Sequence, residues 1–121
     1  MFLELAHTKL DIFIASKSFT LECYKILKQL PQEERFAVTQ QIRRAALSVH
    51  LNVAEGCTRK SAAERKRFYE IARGSLIEVD TAIGIAFDLK YFSKETLTIL
   101  GGHIINTFKQ LTGMIGGNNK S

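Results

Sequence analysis

Tryptophan is absent from this chain, proline occurs once, at Pro31, and cysteine is limited to Cys23 and Cys57. So few backbone breakers over 121 residues favour long helices over many short strands. Two cysteines far apart in sequence do not make a disulfide framework, and free thiols in a reducing, cytoplasmic setting are the expectation. No stretch approaches about 18 uninterrupted apolar residues, so no membrane-spanning helix is expected. The opening MFLELAHTKL lacks the basic and apolar regions of a secretory signal.

Catalytic constellations are also missing. The double-glycine pairs Gly101-Gly102 and Gly116-Gly117 lack the spacing and strand context of a phosphate loop. A di-iron bundle needs two Glu-x-x-His pairs and two more glutamates, whereas Glu4-Leu-Ala-His7 stands alone. His50 and His103 have no carboxylate three or four residues away. Neither cysteine has a neighbouring histidine to activate it. Cys57, at a helix end beside Arg59, is the one thiol whose position suggests a lowered pKa, against the plainer reading of an inert thiol. The chain is therefore expected to be no enzyme and to carry no cofactor or metal.

What is present is a core and a concentration of charge. Hydrophobic residues make up 45% of the chain, enough for one domain, expected over 1–115 with a flexible tail at 116–121. The net charge is +5, and all seven arginines lie between residues 35 and 75. That window holds Arg35, Arg43, Arg44, Arg59, Lys60, Arg65, Lys66, Arg67 and Arg73 against only Glu55, Glu64 and Glu70.

Apolar periodicity predicts four helices. The first spans 8–29, with Leu10, Phe13, Ile14, Lys17, Leu21, Tyr24 and Leu27 on its inner stripe, and ends at Leu30-Pro31. The second spans 32–55, with Glu33 and Glu34 in its first turn and Gly56 as its stop. Val38, Ile42, Ala45, Ala46, Val49 and Val53 form its main stripe. Phe36, Leu47, Leu51 and Ala54 form a second apolar group, which calls for another helix or a second subunit. The third spans 61–90, opening on the capping box Ser61-Ala-Ala-Glu64, with Phe68, Ile71, Ala72, Ser75, Leu76, Val79, Ala82, Ile83, Ala86 and Leu89 on its inner face. Gly74 and Gly84 within it suggest close approach of a neighbour. The fourth, capped by Ser93, spans 94–115 and carries Leu97, Leu100, Ile104, Ile105, Phe108, Leu111 and Ile115, with Gly101-Gly102 expected to weaken or bend it. Short connections imply an antiparallel up-down four-helix bundle.

The run Gln41-Ile-Arg-Arg-Ala-Ala-Leu-Ser-Val-His-Leu-Asn-Val-Ala-Glu-Gly56 resembles the signature of the four-helix-bundle family named after the 23S rRNA-intervening sequence. Phe68-Tyr-Glu-Ile-Ala-Arg-Gly-Ser-Leu-Ile-Glu-Val-Asp-Thr-Ala82 resembles its third-helix motif, and the Leu30-Pro31-x-Glu33-Glu34 turn fits as well. The resemblance implies a bundle without catalytic residues, in a family that often forms ring-like homopentamers. The similar accessory proteins of diversity-generating retroelements are basic pentamers that bind nucleic acid and a reverse transcriptase. Many relatives carry a proline where this chain has His50, so a continuous second helix is expected here.

Two functional readings follow. In the first, Arg43, Arg44, Arg59, Lys60, Arg65, Lys66 and Arg67 hold RNA or DNA, since guanidinium and ammonium groups pair with phosphates. No aromatic platform for unpaired bases is interleaved with these residues, which weighs against it. In the second, the basic groups are solvated or ion-paired and the chain is a protein-interaction scaffold. Phe36, Leu47 and Leu51 then dock a protein partner or copies of the chain. Asn52, Glu55 and Glu78, with the arginines of helix 2, form a polar network that fixes helix pairing or a subunit interface.

Overall fold

Pro31 divides an apolar first helix from a basic second one, and the ends of the later helices are set by serine hydroxyls and backbone bonds. The computed structural model describes residues 1–117. Four α-helices carry the fold, α1 (Asp11–Leu27), α2 (Val38–Thr58), α3 (Ala62–Asp88) and α4 (Lys94–Gly117), with no strand among the described residues. Helix α1 packs on α2 and α4, and α3 packs on the same two, so the core lies between all four.

Helix α1 is shorter than 8–29 and turned from its predicted phase. Residues Ala6–Lys9 form a 3-10 turn, and Leu10 is extended, so the α-helix begins at Asp11. Its buried face is Ile12, Ala15, Phe19, Cys23, Ile26 and Leu27, while Leu10, Ile14 and Leu21 of the predicted stripe are exposed. Ser16 and Thr20 belong to the buried face because their hydroxyls have partners. The Thr20 hydroxyl donates to the Ser16 and Ala46 carbonyls, and the Ser16 hydroxyl lies 2.8 Å from His50 Nδ1. A hydrogen-bonded hydroxyl is cheap to bury.

Helix α2 starts at Val38, later than predicted. Residues Gln32–Glu34 form a separate 3-10 turn, and Ala37 has a non-helical backbone (φ −125°, ψ −105°). Tyr91 holds that turn by donating its hydroxyl to the Glu34 carboxylate at 2.7 Å. The main stripe is buried as predicted, with Val38 at its edge. The helix runs unbroken through His50 and past Gly56 to Thr58. Gly56 is therefore a contact residue rather than a stop. A Cβ there would lie 2.6 Å from Cε1 of Tyr69, so glycine lets α3 come close.

Residue pairings show that α2 runs opposite to both neighbours. Ser16 and Thr20 of α1 meet His50 and Ala46, while Gln41, Ser48 and Gly56 meet Glu78, Ser75 and Tyr69 of α3. Ser61 caps α3, its hydroxyl accepting from the Glu64 amide at 3.1 Å. The helix ends at Asp88, where Lys90 takes a left-handed backbone (φ 67°) and the Tyr91 amide reaches back to the Ala86 carbonyl. Tyr69 lies outside the predicted stripe and is buried, whereas Ile71 and Leu89 lie within it and are exposed. Gly74 and Gly84 face open space, so within one chain they serve no close approach.

Ser93 caps α4 through the Thr96 amide, and the helix continues through Gly101-Gly102. Leu100, Ile104, Leu111 and Ile115 are buried and Leu97 is partly buried; Ile105 and Phe108 are exposed. Thr107 is buried instead, its hydroxyl 3.5 Å from the Ala15 carbonyl. Gly116 and Gly117, predicted as tail, belong to α4, and the rest of that tail lies outside the described residues.

Candidate nucleic-acid interface

The basic window is split by the helix that carries it. Arg44 and Arg59 are separated by about 22 Å along α2, at roughly 1.5 Å per residue. One group, Arg43 and Arg44 with Arg35, lies near the start of α2. The other, from Arg59 to Arg67, surrounds the α2–α3 turn.

At the turn, two arginines hold the chain together. Arg65 Nη1 donates to the carbonyls of Arg59 and Lys60, at 3.1 and 2.7 Å, closing the turn onto α3. Arg59 pairs with Glu55 at 2.5 Å and lies over the Phe68 ring, 4.9 Å from its centroid. Such contacts restrain both guanidinium groups before any phosphate arrives. Lys60, Lys66 and Arg67 differ: all three are exposed or half-exposed, with no carboxylate within ion-pair distance among the described residues. Glu64 is turned to Ser61, whose hydroxyl also donates to it, and is paired with none of the three.

At the start of α2, Arg43 and Arg44 are exposed and have no ion-pair partner among the described residues. The Arg43 guanidinium lies 5.8 Å from the Tyr24 ring centroid, and Arg35 lies 5.2 Å from that of Phe36. Aromatic rings thus accompany arginines in three places, although two of the three, Tyr24 and Phe68, are themselves covered by a guanidinium and only partly exposed. The available signal was Phe36 itself, inside the arginine window and next to Arg35.

The residues of the predicted polar network bond to partners other than Arg43 and Arg44. The Asn52 side-chain amide donates to the Ser48 carbonyl and hydroxyl, at 2.9 and 3.1 Å, and Ser48 meets Ser75 at 2.9 Å. Glu78 accepts from the Gln41 side chain, and Glu55 pairs with Arg59, so neither carboxylate reaches Arg43 or Arg44. The second apolar group is also divided. Leu47 and Leu51 are exposed on α2, the latter by 53%, and Leu51 and Ala54 share a recess with Phe13 and His50. Phe36 precedes the helix and is 79% exposed in a recess of its own.

The titratable groups carry structural signatures. Burial pushes Cys23 up to about 12 and raises Cys57 against the opposing hydroxyl contact of Tyr69, the reverse of an activated thiol. Both cysteines are free. Burial, aided by nearby Lys17, lowers His50 below its ordinary value. No group of three potential metal-ligating side chains occurs among the described residues. No helix among them is long and apolar enough to cross a membrane.

Comparison with known proteins agrees with this architecture. The family model described as 23S rRNA-intervening sequence protein matches residues 8–113. The fold is similar to the crystal structure of a protein of unknown function from the S23 ribosomal protein family of Bacteroides thetaiotaomicron. The TM-score is 0.79 and the identity 21%, over 86% of this chain and 97% of that one. No curated protein matches. Neither description names an enzyme activity. Four helices in cyclic contact, the two motif segments on α2 and α3, and a family match over nearly the whole length lead to one conclusion: the chain belongs to the 23S rRNA-intervening sequence protein family.

Proposed function

We propose that this chain is a non-enzymatic, up-down four-helix bundle that assembles with its own copies, as a ring-like pentamer, in the cytoplasm and binds RNA or DNA. One observation carries the nucleic-acid reading: Arg43, Arg44, Lys60, Lys66 and Arg67 all reach solvent and are bonded to no carboxylate among the described residues. Unpaired cations release condensed counterions when they meet a phosphate backbone, and that release drives binding. Arg59 and Arg65 contribute indirectly, by holding the turn that presents Lys60, Lys66 and Arg67. Repetition of a weak patch around an oligomer multiplies its affinity through effective concentration.

The test is a mobility shift with mixed single-stranded and duplex RNA and DNA at several salt concentrations. The expected result is binding at low salt that falls steeply as salt rises. It should be lost when Lys60, Lys66 and Arg67 are changed to glutamate together. No shift at low salt, or full binding by the charge-reversed variant, overturns the reading.

A second reading, the protein-interaction scaffold, is favoured by the exposure of Leu47 and Leu51 beside Arg44 on α2. Leu47→Ser/Leu51→Ser, read by light scattering and by the mobility shift, separates it: self-association in the unaltered chain that is lost in the variant, with no nucleic-acid binding by either, supports the scaffold.

A further inference from the structure

Where the start of α2 meets the end of α3, a recess of about 410 Å³ is lined by Phe36, Gln40, Gln41, Arg44, Ala82 and Ile85. We propose that it takes one unpaired nucleotide of a single strand. The base stacks against Phe36, and its phosphate lies towards Arg44 and the first turn of α2. The proposal rests on the nucleic-acid reading above and adds a base-contacting site to it.

Four observations converge there. Phe36 is 79% exposed, an unusual position for a ring that burial would stabilise. The Arg35 guanidinium 5.2 Å from its centroid restrains it as a platform. Base–aromatic stacking supported by arginine is how single strands are held without a fixed sequence. The side-chain nitrogen of Gln41 donates to Glu78, which leaves its carbonyl oxygen to accept from an exocyclic amine of adenine or cytosine. No side chain caps α2, and its first helical bond runs from the Gln41 amide to the Ala37 carbonyl. The Ala37 amide donates to the Glu34 carbonyl and Thr39 is buried, so the amides of Val38 and Gln40 are the ones left for an anion, beside Arg44.

Charge supports a nucleotide over an apolar peptide. Arg35 and Arg44 are in no ion pair among the described residues, and Glu78 and Glu34 are engaged by Gln41 and Tyr91, with Glu33 exposed in the preceding turn. An apolar side chain entering here would desolvate Arg44 and two amide side chains without supplying partners, which is unfavourable. A nucleotide supplies an acceptor for the guanidinium and a face for the ring. Bases paired in a duplex present no free face to Phe36, so the site selects single strands.

The chain has no tryptophan, so Phe36→Trp supplies a single fluorescent reporter with a larger stacking face. The probe is a ten-nucleotide oligodeoxyadenylate, followed by anisotropy of an end label and by tryptophan quenching. The expected result is saturable quenching with the same midpoint as the anisotropy. Phe36→Ala should weaken binding by about tenfold, the scale of one stacked base, and Phe36→Trp should retain it. Duplex DNA should leave the tryptophan unquenched. If the oligonucleotide binds Phe36→Ala as well as the unaltered chain and leaves the introduced tryptophan unquenched, the recess is not the site while nucleic-acid binding survives. If nothing binds at low salt, both proposals fall. If the emission of the introduced tryptophan responds to protein concentration and not to oligonucleotide, a second copy covers the recess and the proposal is overturned.

Discussion

The two ends of the α2–α3 pair use the same residue type in opposite ways. At the turn, Arg65 closes the backbone by bonding two carbonyls, and Arg59 is spread between Glu55 and Phe68. At the far end, Arg43 lies over the Tyr24 ring but neither it nor Arg44 is bonded to a carboxylate or carbonyl, and an aromatic ring with its own arginine stands exposed nearby. Arginine density therefore does not count the guanidinium groups that are free of protein partners. What differs is whether each cation already has a carboxylate or carbonyl partner, and by that measure the cations left free at the turn are Lys60, Lys66 and Arg67.

Substitution at each end distinguishes the two uses of arginine. The largest effect is expected at Gly56, where a Cβ would meet Tyr69. Gly56→Val should destabilise by about 1–3 kcal/mol in urea unfolding, with overpacking as the cause. Next is Arg65→Ala, which opens two carbonyl bonds and should cost about 1–2 kcal/mol. Arg44→Ala and Arg67→Ala, at exposed positions, should stay within about 0.5 kcal/mol of the unaltered chain. Equal losses at Arg65 and Arg67 would erase the distinction between the two uses.

Smaller effects are expected at His50 and Lys90. Folding lowers the His50 pKa below its ordinary 6.5, so the unfolded chain binds the proton more readily. Its contribution is full above pH 6.5 and declines as pH falls below that value. His50→Gln should flatten this part of the stability–pH profile measured by thermal melting. Lys90 sits in the left-handed region, and Lys90→Gly should stabilise the chain by about 0.5–1 kcal/mol, readable in the same urea experiment.

Legibility of the fold varies with the chemistry of each helix. The α2 stripe can be read because Ile42, Ala45, Ala46, Val49 and Val53 are uniformly apolar at three- and four-residue spacing. In α1 both faces are apolar, and the buried one includes Ser16 and Thr20, whose partners lie on α2 or in the backbone. No local pattern displays those partners, so apolar spacing alone picks the wrong phase. Gly56 reads as a helix stop because the cause of its glycine, the Tyr69 ring, lies on the next helix.

The candidate site is legible as a composition and not as an arrangement. Ser61-Ala-Ala-Glu64 announces the start of α3 because its bonds are local. The roles of Arg59 and Arg65 are hidden: Arg65 bonds carbonyls, which every residue has, and Arg59 meets a ring nine residues away. Helical spacing groups Phe36 with Leu47 and Leu51, but α2 begins only at Val38, so the ring stands apart from them.

The central claim is that free cations, and not the total of arginines, bind nucleic acid. The slope of log binding constant against log salt for a single-stranded oligonucleotide tests it most directly. Arg44→Ala and Lys66→Ala together should reduce the slope by about 1.4, near 0.7 for each phosphate that is no longer neutralised. An unchanged slope, or binding insensitive to salt, would contradict the account.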